Sequence, residues 1–334
     1  MKHVILVSMM VLWCFCATGQ TKEKLDTLKQ ATVTASRSVN PLTGVAVDLK
    51  AASHLVSPSG EADVIKYVQT IPGVISGAEG SSSYYVRGGN QGNNLVEMDG
   101  VRVFGNSHLL GFCSSIPQNI LSSADFFTGS LYGEYSNILS SVLALKTTDG
   151  DFHRPNVSLS LNNFFGGGGF SVPIIKDRLS FTSSARYSPF GKEYNLLGGV
   201  ISDFGVDLPK EMNSTVYDVF GKLTWKPDNQ TKLSLSYFRT EDDYQLIYKA
   251  NKWDRLSWRN QIVNFQFCTP LSGMWIWSGN VAFNQFTNNQ TQRRVAFASD
   301  DWVNVGTNLR EIVINGKFDH ASRSPRKRDL QLHS

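Results

Sequence analysis

Beyond residue 19 the 334-residue chain has no apolar run long enough to cross a bilayer as a helix, which excludes a helical anchor in the mature protein. Cysteine is scarce. Of four, Cys14 and Cys16 fall in an N-terminal leader, and Cys113 and Cys268 stand too far apart to define a disulfide framework. They could pair in an oxidising compartment, but two buried free thiols are expected. Charged residues make up only 18% of the chain and the formal charge of +4 is spread out, so composition offers no nucleic-acid surface. The one basic cluster, Arg323, Arg326, Lys327 and Arg328, reads as a solvated tail. Catalytic signatures are missing too. The six histidines have no metal-ligand spacing, no serine sits in a nucleophile elbow, and the glycines from Gly166 to Gly169 lack a following Gly-Lys-Ser/Thr, so a tight turn is expected there. Neither an enzyme nor a cofactor or metal site is expected.

What is present starts with a leader at 1–19. Lys2 and His3 precede the apolar run Val4 to Ala17, and Ala17-Thr18-Gly19 supplies the small residues that signal peptidase reads. Aromatic residues reach 11%, a composition of membrane barrels and all-β proteins. Residues 20–47 have no packing period and are expected to form a mobile arm. Within it, Ala31, Thr32, Val33, Thr34 and Ala35 make a short β-prone run suited to joining another protein's sheet edge, or serving as an ordinary linker.

From 48 to 148 a small α+β domain is predicted. Ser59 can cap a helix with Glu61 and Asp63 in its first turn, and Val64, Tyr67, Val68 and Ile71 share one face until Pro72-Gly73 ends it. Asp99-Gly100 between two apolar runs is a hairpin turn, because both residues tolerate positive φ. Ser115-Ile116-Pro117 starts a second short helix, and 124–128 and 142–147 read as strands. Arg87, charged and beside Gly88 and Gly89 at a strand end, is expected to be buried and paired.

After Asp151 the period becomes two. Leu179, Phe181, Ala185 and Tyr187 alternate with Ser180, Thr182, Ser184 and Arg186; Leu233, Leu235 and Tyr237 alternate with Lys232, Ser234 and Ser236. Trp275, Trp277, Val281 and Phe283 continue the scheme, as do Ile312, Ile314 and Phe318. Short turns at 176–178, 227–230 and 269–273 alternate with long polar connections at 188–216, 241–260 and 288–307, the sorting by length seen at the two ends of an outer-membrane barrel. A soluble β-sandwich has no reason to sort its loops that way.

Ala62-Asp63-Val64-Ile65, Ile71-Pro72-Gly73-Val74, Tyr85-Val86-Arg87-Gly88-Gly89 and Met98-Asp99-Gly100-Val101 together resemble the plug domain of TonB-dependent outer-membrane receptors. Residues 120–147, with Tyr132-Gly133-Glu134-Tyr135 and Leu139-Ser140-Ser141-Val142, are similar to the end of that plug in Bacteroidetes-type members, although Thr128-Gly129 and Ser140-Ser141 depart from the Arg-Gly and Gly-Gly pairs of many members. The resemblance implies an α+β plug followed by antiparallel strands of a transmembrane β-barrel, located in the outer membrane of a Gram-negative cell and surrounded by its lipid. It makes 31–35 a TonB box, pulled by TonB with its inner-membrane energising complex. The plug motif would be Arg87, Gly88, Gly89, Asp99 and Gly100, and a scarce nutrient (siderophore, cobalamin, sugar or similar) would touch Tyr84, Tyr85, Phe104, Asn106 and His108 unless these pack on the wall instead. Residues 151–320 supply about eight strands where such barrels close with roughly twenty-two. An incomplete barrel with an aberrant polar tail at 321–334 is therefore expected, with a non-transporting remnant and a soluble secreted β-rich binder as the alternatives.

Overall fold

A computed structural model describes residues 44–55, 60–77, 81–128, 138–162, 164–201, 209–249, 252–272, 275–296 and 299–320. The leader, the 31–35 run, Ser59, the 132–135 segment and the 321–334 tail lie outside the described residues.

The first strand, β1 (Val45–Val47), leads into α1 (Leu49–Ser53), which Asp48 caps by accepting from the Lys50 and Ala51 amides at 2.9 and 3.2 Å. The next helix, α2 (Val64–Val68), is capped by Asp63, whose carboxylate accepts from the Ile65 amide at 2.8 Å. It is shorter than the spacing predicts, because capping begins at Asp63. Val64, Ile65 and Val68 are fully buried on one face, as the apolar period requires. A small ladder joins β2 (Val74–Ser76) to β3 (Tyr84–Val86).

The Asp99-Gly100 turn forms as expected, between β4 (Asn94–Met98) and β5 (Val101–Arg102), with φ of 52° and 79° at the two turn residues. Two positive φ values in a two-residue loop match the strand twist, and Gly100 takes the second without a side-chain penalty. A second two-strand ladder pairs β6 (Ser107–His108) with β7 (Cys113–Ser114). Pro117 then caps a single 3-10 turn at Gln118–Ile120, in place of the expected second helix. The mixed sheet is completed by β8 (Leu121–Thr128) and β9 (Ser141–Thr147), in the order β1-β8-β9-β4-β5 with β4 and β9 parallel.

The second sheet holds eight strands in sequence order, all antiparallel: β10 (Asn156–Leu161), β11 (Gly166–Ile175), β12 (Leu179–Ser188), β13 (Glu211–Trp225), β14 (Lys232–Lys249), β15 (Lys252–Ser272), β16 (Trp275–Ala296) and β17 (Ser299–His320). Among the described residues it is open, with β10 and β17 at its edges. A helix, α3 (Phe190–Ile201), interrupts the connection between β12 and β13.

Two expectations fail here. Gly166 to Gly169 lie within β11 and form no turn; a Cβ at Gly167 or Gly168 would stand 2.6 or 2.7 Å from a neighbouring strand's carbonyl oxygen, so close strand approach is what calls for glycine. The polar stretches 241–260 and 288–307 are not loops but strand: β14 pairs with β15 out to Lys249↔Lys252, and β16 with β17 out to Ala296↔Ser299. They read as loops because in 241–249 the apolar residues change face, Tyr244 and Leu246 being buried while Glu241, Asp243 and Gln245 alternate with them, and in 288–307 amide and charged side chains interrupt the alternation; the backbone ladder continues through both.

The eight-stranded sheet is inverted relative to a soluble protein. Its polar face is buried: Ser180, Thr182, Ser184, Arg186, Asp218, Lys222, Ser234, Asp242, Asn264 and Asn280 are all covered. Its apolar face is bare, with Leu223, Leu235, Phe265, Trp275, Trp277, Val281, Phe283, Ile312, Ile314 and Phe318 exposed. Trp275 to Phe283 span about 26 Å along β16, or about 20 Å after a strand tilt of ~40°, close to the height of a barrel's lipid-facing band. Trp277 stacks on Phe318 and meets Phe267 edge-on at the short-turn end of that band, the usual place for an aromatic girdle.

Candidate functional site

The buried face of the large sheet is the wall on which the N-terminal domain sits. At its centre the contact is apolar: Phe220, Phe238, Ile262 and Ala282 from the wall share one core with Val64, Val96, Met98, Phe126 and Leu143 of the domain. Polar bonds surround this patch.

At one side the Asp99-Gly100 turn is seated by amides. The Asn264 and Asn315 side chains donate to the carbonyl oxygens of Asp99 and Gly100 at 3.1 and 3.2 Å, and Asn284 donates to that of Arg102 at 2.8 Å. The Asp99 carboxylate turns back to accept from the Thr147 amide at 3.0 Å and hydroxyl at 2.5 Å, tying the hairpin to the end of β9. Beside it the buried Lys222 ammonium lies 2.8 Å from Asp149 and 3.7 Å from Asp99, and Lys232 reaches the other Asp149 oxygen at 2.8 Å. Burial alone would raise the Asp149 carboxyl, but Lys222 and Lys232 outweigh it and hold the pKa below the usual value.

On the other side a chain of charges crosses the boundary. Glu61, just before α2, bonds Arg186 of β12 at 2.5 Å; Arg186 bonds Asp218 of β13 at 2.6 Å and donates to the Ser114 carbonyl oxygen at 3.2 Å. Asp218 accepts from Nε2 of His108 at 2.6 Å, and Nδ1 of His108 bonds Asp242 of β14, whose second oxygen accepts from the Tyr244 hydroxyl at 2.5 Å. The carboxylates only accept, so both ring nitrogens of His108 carry protons and the side chain is an imidazolium. Burial works against that charge, but Asp218 and Asp242 outweigh it and raise the His108 pKa to about 10. Nearby, burial pushes the Asp63 carboxyl and the Cys113 thiol above their ordinary values.

The turn that carries His108 is strained. Leu109 and Leu110 have φ of 52° and 59° and Gly111 has 106°, and left-handed backbone at a branched residue costs on the order of 1 kcal/mol or more. The Leu109 amide is held by donation to the Tyr244 hydroxyl at 2.9 Å, while Leu110 and Phe112 are left exposed at the tip.

The residues singled out from sequence divide. Asp99 and Gly100 are the seated turn. Arg87 is not buried: it is exposed, with φ of 48°, and its amide donates to the Gly73 carbonyl oxygen at 3.1 Å, so the motif serves the backbone of a turn that Gly88 and Gly89 continue. Tyr84 packs edge-on against Phe126 inside the core, and His108 is fully buried; neither presents surface to a ligand in this state. Phe104 is half-buried and stacks on Phe286 of the wall, Asn106 is half-buried, and Tyr85 is exposed. Cys113 and Cys268 are free, the first buried and the second half-buried. Glu61, Asp218, Lys222 and Asp242 escaped the sequence reading as site residues, and Arg186 was read only as part of a polar face. A signal did exist: each wall residue is a charge on the polar face of an alternating strand.

Among the described residues no group of His, Cys, Asp and Glu is arranged to hold a metal ion. The arrangement holds one body against another.

Comparison with known proteins agrees with this architecture. Residues 49–136 match the TonB-dependent Receptor Plug Domain family. The outer membrane transporter YddB of Escherichia coli superposes with a TM-score of 0.57 at 8% identity, over 84% of this chain and 46% of that one. A mutant of the ferric enterobactin receptor PfeA of Pseudomonas aeruginosa superposes with a TM-score of 0.54 at 13% identity, over 82% and 45%. At such identities the likeness is one of fold, and the chain spans under half the length of either structure. No curated protein matches the sequence.

Proposed function

We propose that this chain, whose residues 49–136 are a TonB-dependent receptor plug domain seated on the antiparallel strands that follow, serves energy-coupled uptake of a scarce nutrient across an outer membrane. One observation carries the reading. The eight-stranded sheet buries its polar face on the plug and bares its apolar face, which is stable only where hydrocarbon replaces water outside. A soluble secreted binder would bury the opposite face.

In this reading residues 1–19 direct export, the Ala31 to Ala35 run is the TonB box, and TonB pulls on it. Uptake needs no covalent chemistry. It needs a plug that closes the lumen in one state and opens it in another, and a ligand that interacts differently with the two. Tyr85, Phe104 and Asn106 are proposed ligand contacts. A ferric siderophore is one member of the proposed ligand class, on the strength of the fold shared with the ferric enterobactin receptor; cobalamin and sugars are others.

Expression in a Gram-negative host with membrane fractionation tests this. The chain is expected in the outer membrane, migrating differently on gels when unheated. Recovery as a soluble periplasmic monomer would overturn the reading.

A further inference from the structure

We propose that His108 is a proton site linked to the seating of the plug: the seated plug holds a second proton on the imidazole, and unseating gives that proton to water. That the plug unseats at all rests on the function proposed above.

The geometry supplies the proton. Each ring nitrogen faces a carboxylate oxygen, on Asp218 of β13 and Asp242 of β14, and a neutral ring has only one N–H to offer. The charged and titratable groups packed around it are Arg186 of β12, which shares Asp218; Tyr244 of β14, which shares Asp242; Cys113, its ladder partner on β7; and Glu61, one step away through Arg186. The other close neighbours, Phe165 and the Thr240 hydroxyl 3.3 Å from Nε2, are not titratable. Arg186 and Tyr244 stay on the wall with their carboxylates when the plug leaves; His108 goes with the plug.

In water an imidazole has an ordinary pKa of about 6.5. Between that value and about 10, where the seated ring titrates, unseating breaks one ring N–H bond and moves the proton to water, with no change in oxidation state. Unseating then becomes up to about tenfold more favourable for each pH unit. Below about 6.5 the ring is charged in both states, above about 10 it is neutral in both, and in neither range does pH matter. The strained Leu109-Leu110-Gly111 turn lies directly beyond His108 and is tied to the wall through the same Asp242 and Tyr244 pair, so losing the imidazolium also loosens a segment that gains by relaxing.

Hydrogen exchange on the full chain in outer-membrane lipid, read as protection factors corrected for the intrinsic base-catalysed rate, tests this at residues 107–114. From pH 7 to pH 9 the wild type is expected to lose protection about tenfold per unit. His108→Lys keeps its charge over that range and should show no slope; His108→Gln should be poorly protected and flat, and the gap between it and the wild type should narrow about tenfold per unit from pH 7 to pH 9. A flat wild type, or the same slope in wild type and His108→Lys, would overturn the proposal. If the lysine variant fails to seat at pH 7, the narrowing gap between wild type and the glutamine variant decides instead, and a gap that stays constant from pH 7 to pH 9 rejects the proton link. Absence from the outer membrane would reject the uptake reading, while the slope comparison stands or falls separately.

Discussion

Arg186 and Glu61, 125 residues apart in sequence, meet at 2.5 Å where the plug touches the wall, and both are largely buried. Removing Arg186 would leave Glu61 without its partner and Asp218 with His108 alone. Arg186→Met is therefore expected to destabilise the seated plug by about 3 kcal/mol, since breaking a buried pair costs more than forming it gains. Glu61→Gln should cost less, because Arg186 keeps Asp218. Denaturant titration of the lipid-embedded chain, followed by exchange of the plug amides, measures both; equal and small effects would show that the pair contributes little.

Arg87 should behave differently from a buried charge. Its side chain is exposed and its φ is positive, so Arg87→Ala is expected to change stability by no more than about 0.5 kcal/mol beyond backbone strain, and Arg87→Gly to be neutral or mildly stabilising. A loss of several kcal/mol on either change would mean that Arg87 has a partner in the seated state.

The bare apolar face is expected to be sensitive to charge by depth. Val281→Lys, near the middle of the band on β16, should cost about 2–4 kcal/mol in a bilayer, and Asn289→Lys, on the same face but above the band, close to nothing. Comparing urea midpoints of the two variants in lipid vesicles checks the placement of the membrane. Equal costs would remove it.

Asp149 makes the plug's attachment acid-sensitive. Its pKa is held below the ordinary carboxylate value by Lys222 and Lys232, against the opposing effect of burial, so its contribution is present above about pH 4 and is lost as pH falls through the lowered value. Asp149→Asn should flatten the acid limb of stability against pH while leaving the alkaline limb, where His108 titrates, unchanged. An acid limb of undiminished steepness would assign the sensitivity to other carboxylates.

Much of this was legible in local sequence. The Asp99-Gly100 turn and the buried face of α2 follow from residue preferences that act over two to four positions, and the count of about eight strands from the length of 151–320 at the usual length of a strand and its connection. Three features were not. The extent of β14 to β17 was hidden, because their far ends change which face is apolar, as at Tyr244 and Leu246, or interrupt the alternation with amides and charges, and are then marked chiefly by their ladder. Arg87 was misjudged, because a charge beside two glycines looks the same in sequence whether its side chain turns in or out. The partners of His108 could not be read at all.

The amino-acid sequence by itself determined the alternation: one apolar and one polar face on each strand, and a short α+β domain ahead of them. Only the tertiary structure decided that the polar face is the buried one, and that Arg186, Asp218 and Asp242 stand where Glu61 and His108 arrive. The period of a strand is set by its own backbone geometry, whereas the meeting of residues more than a hundred positions apart depends on the register of every strand between them.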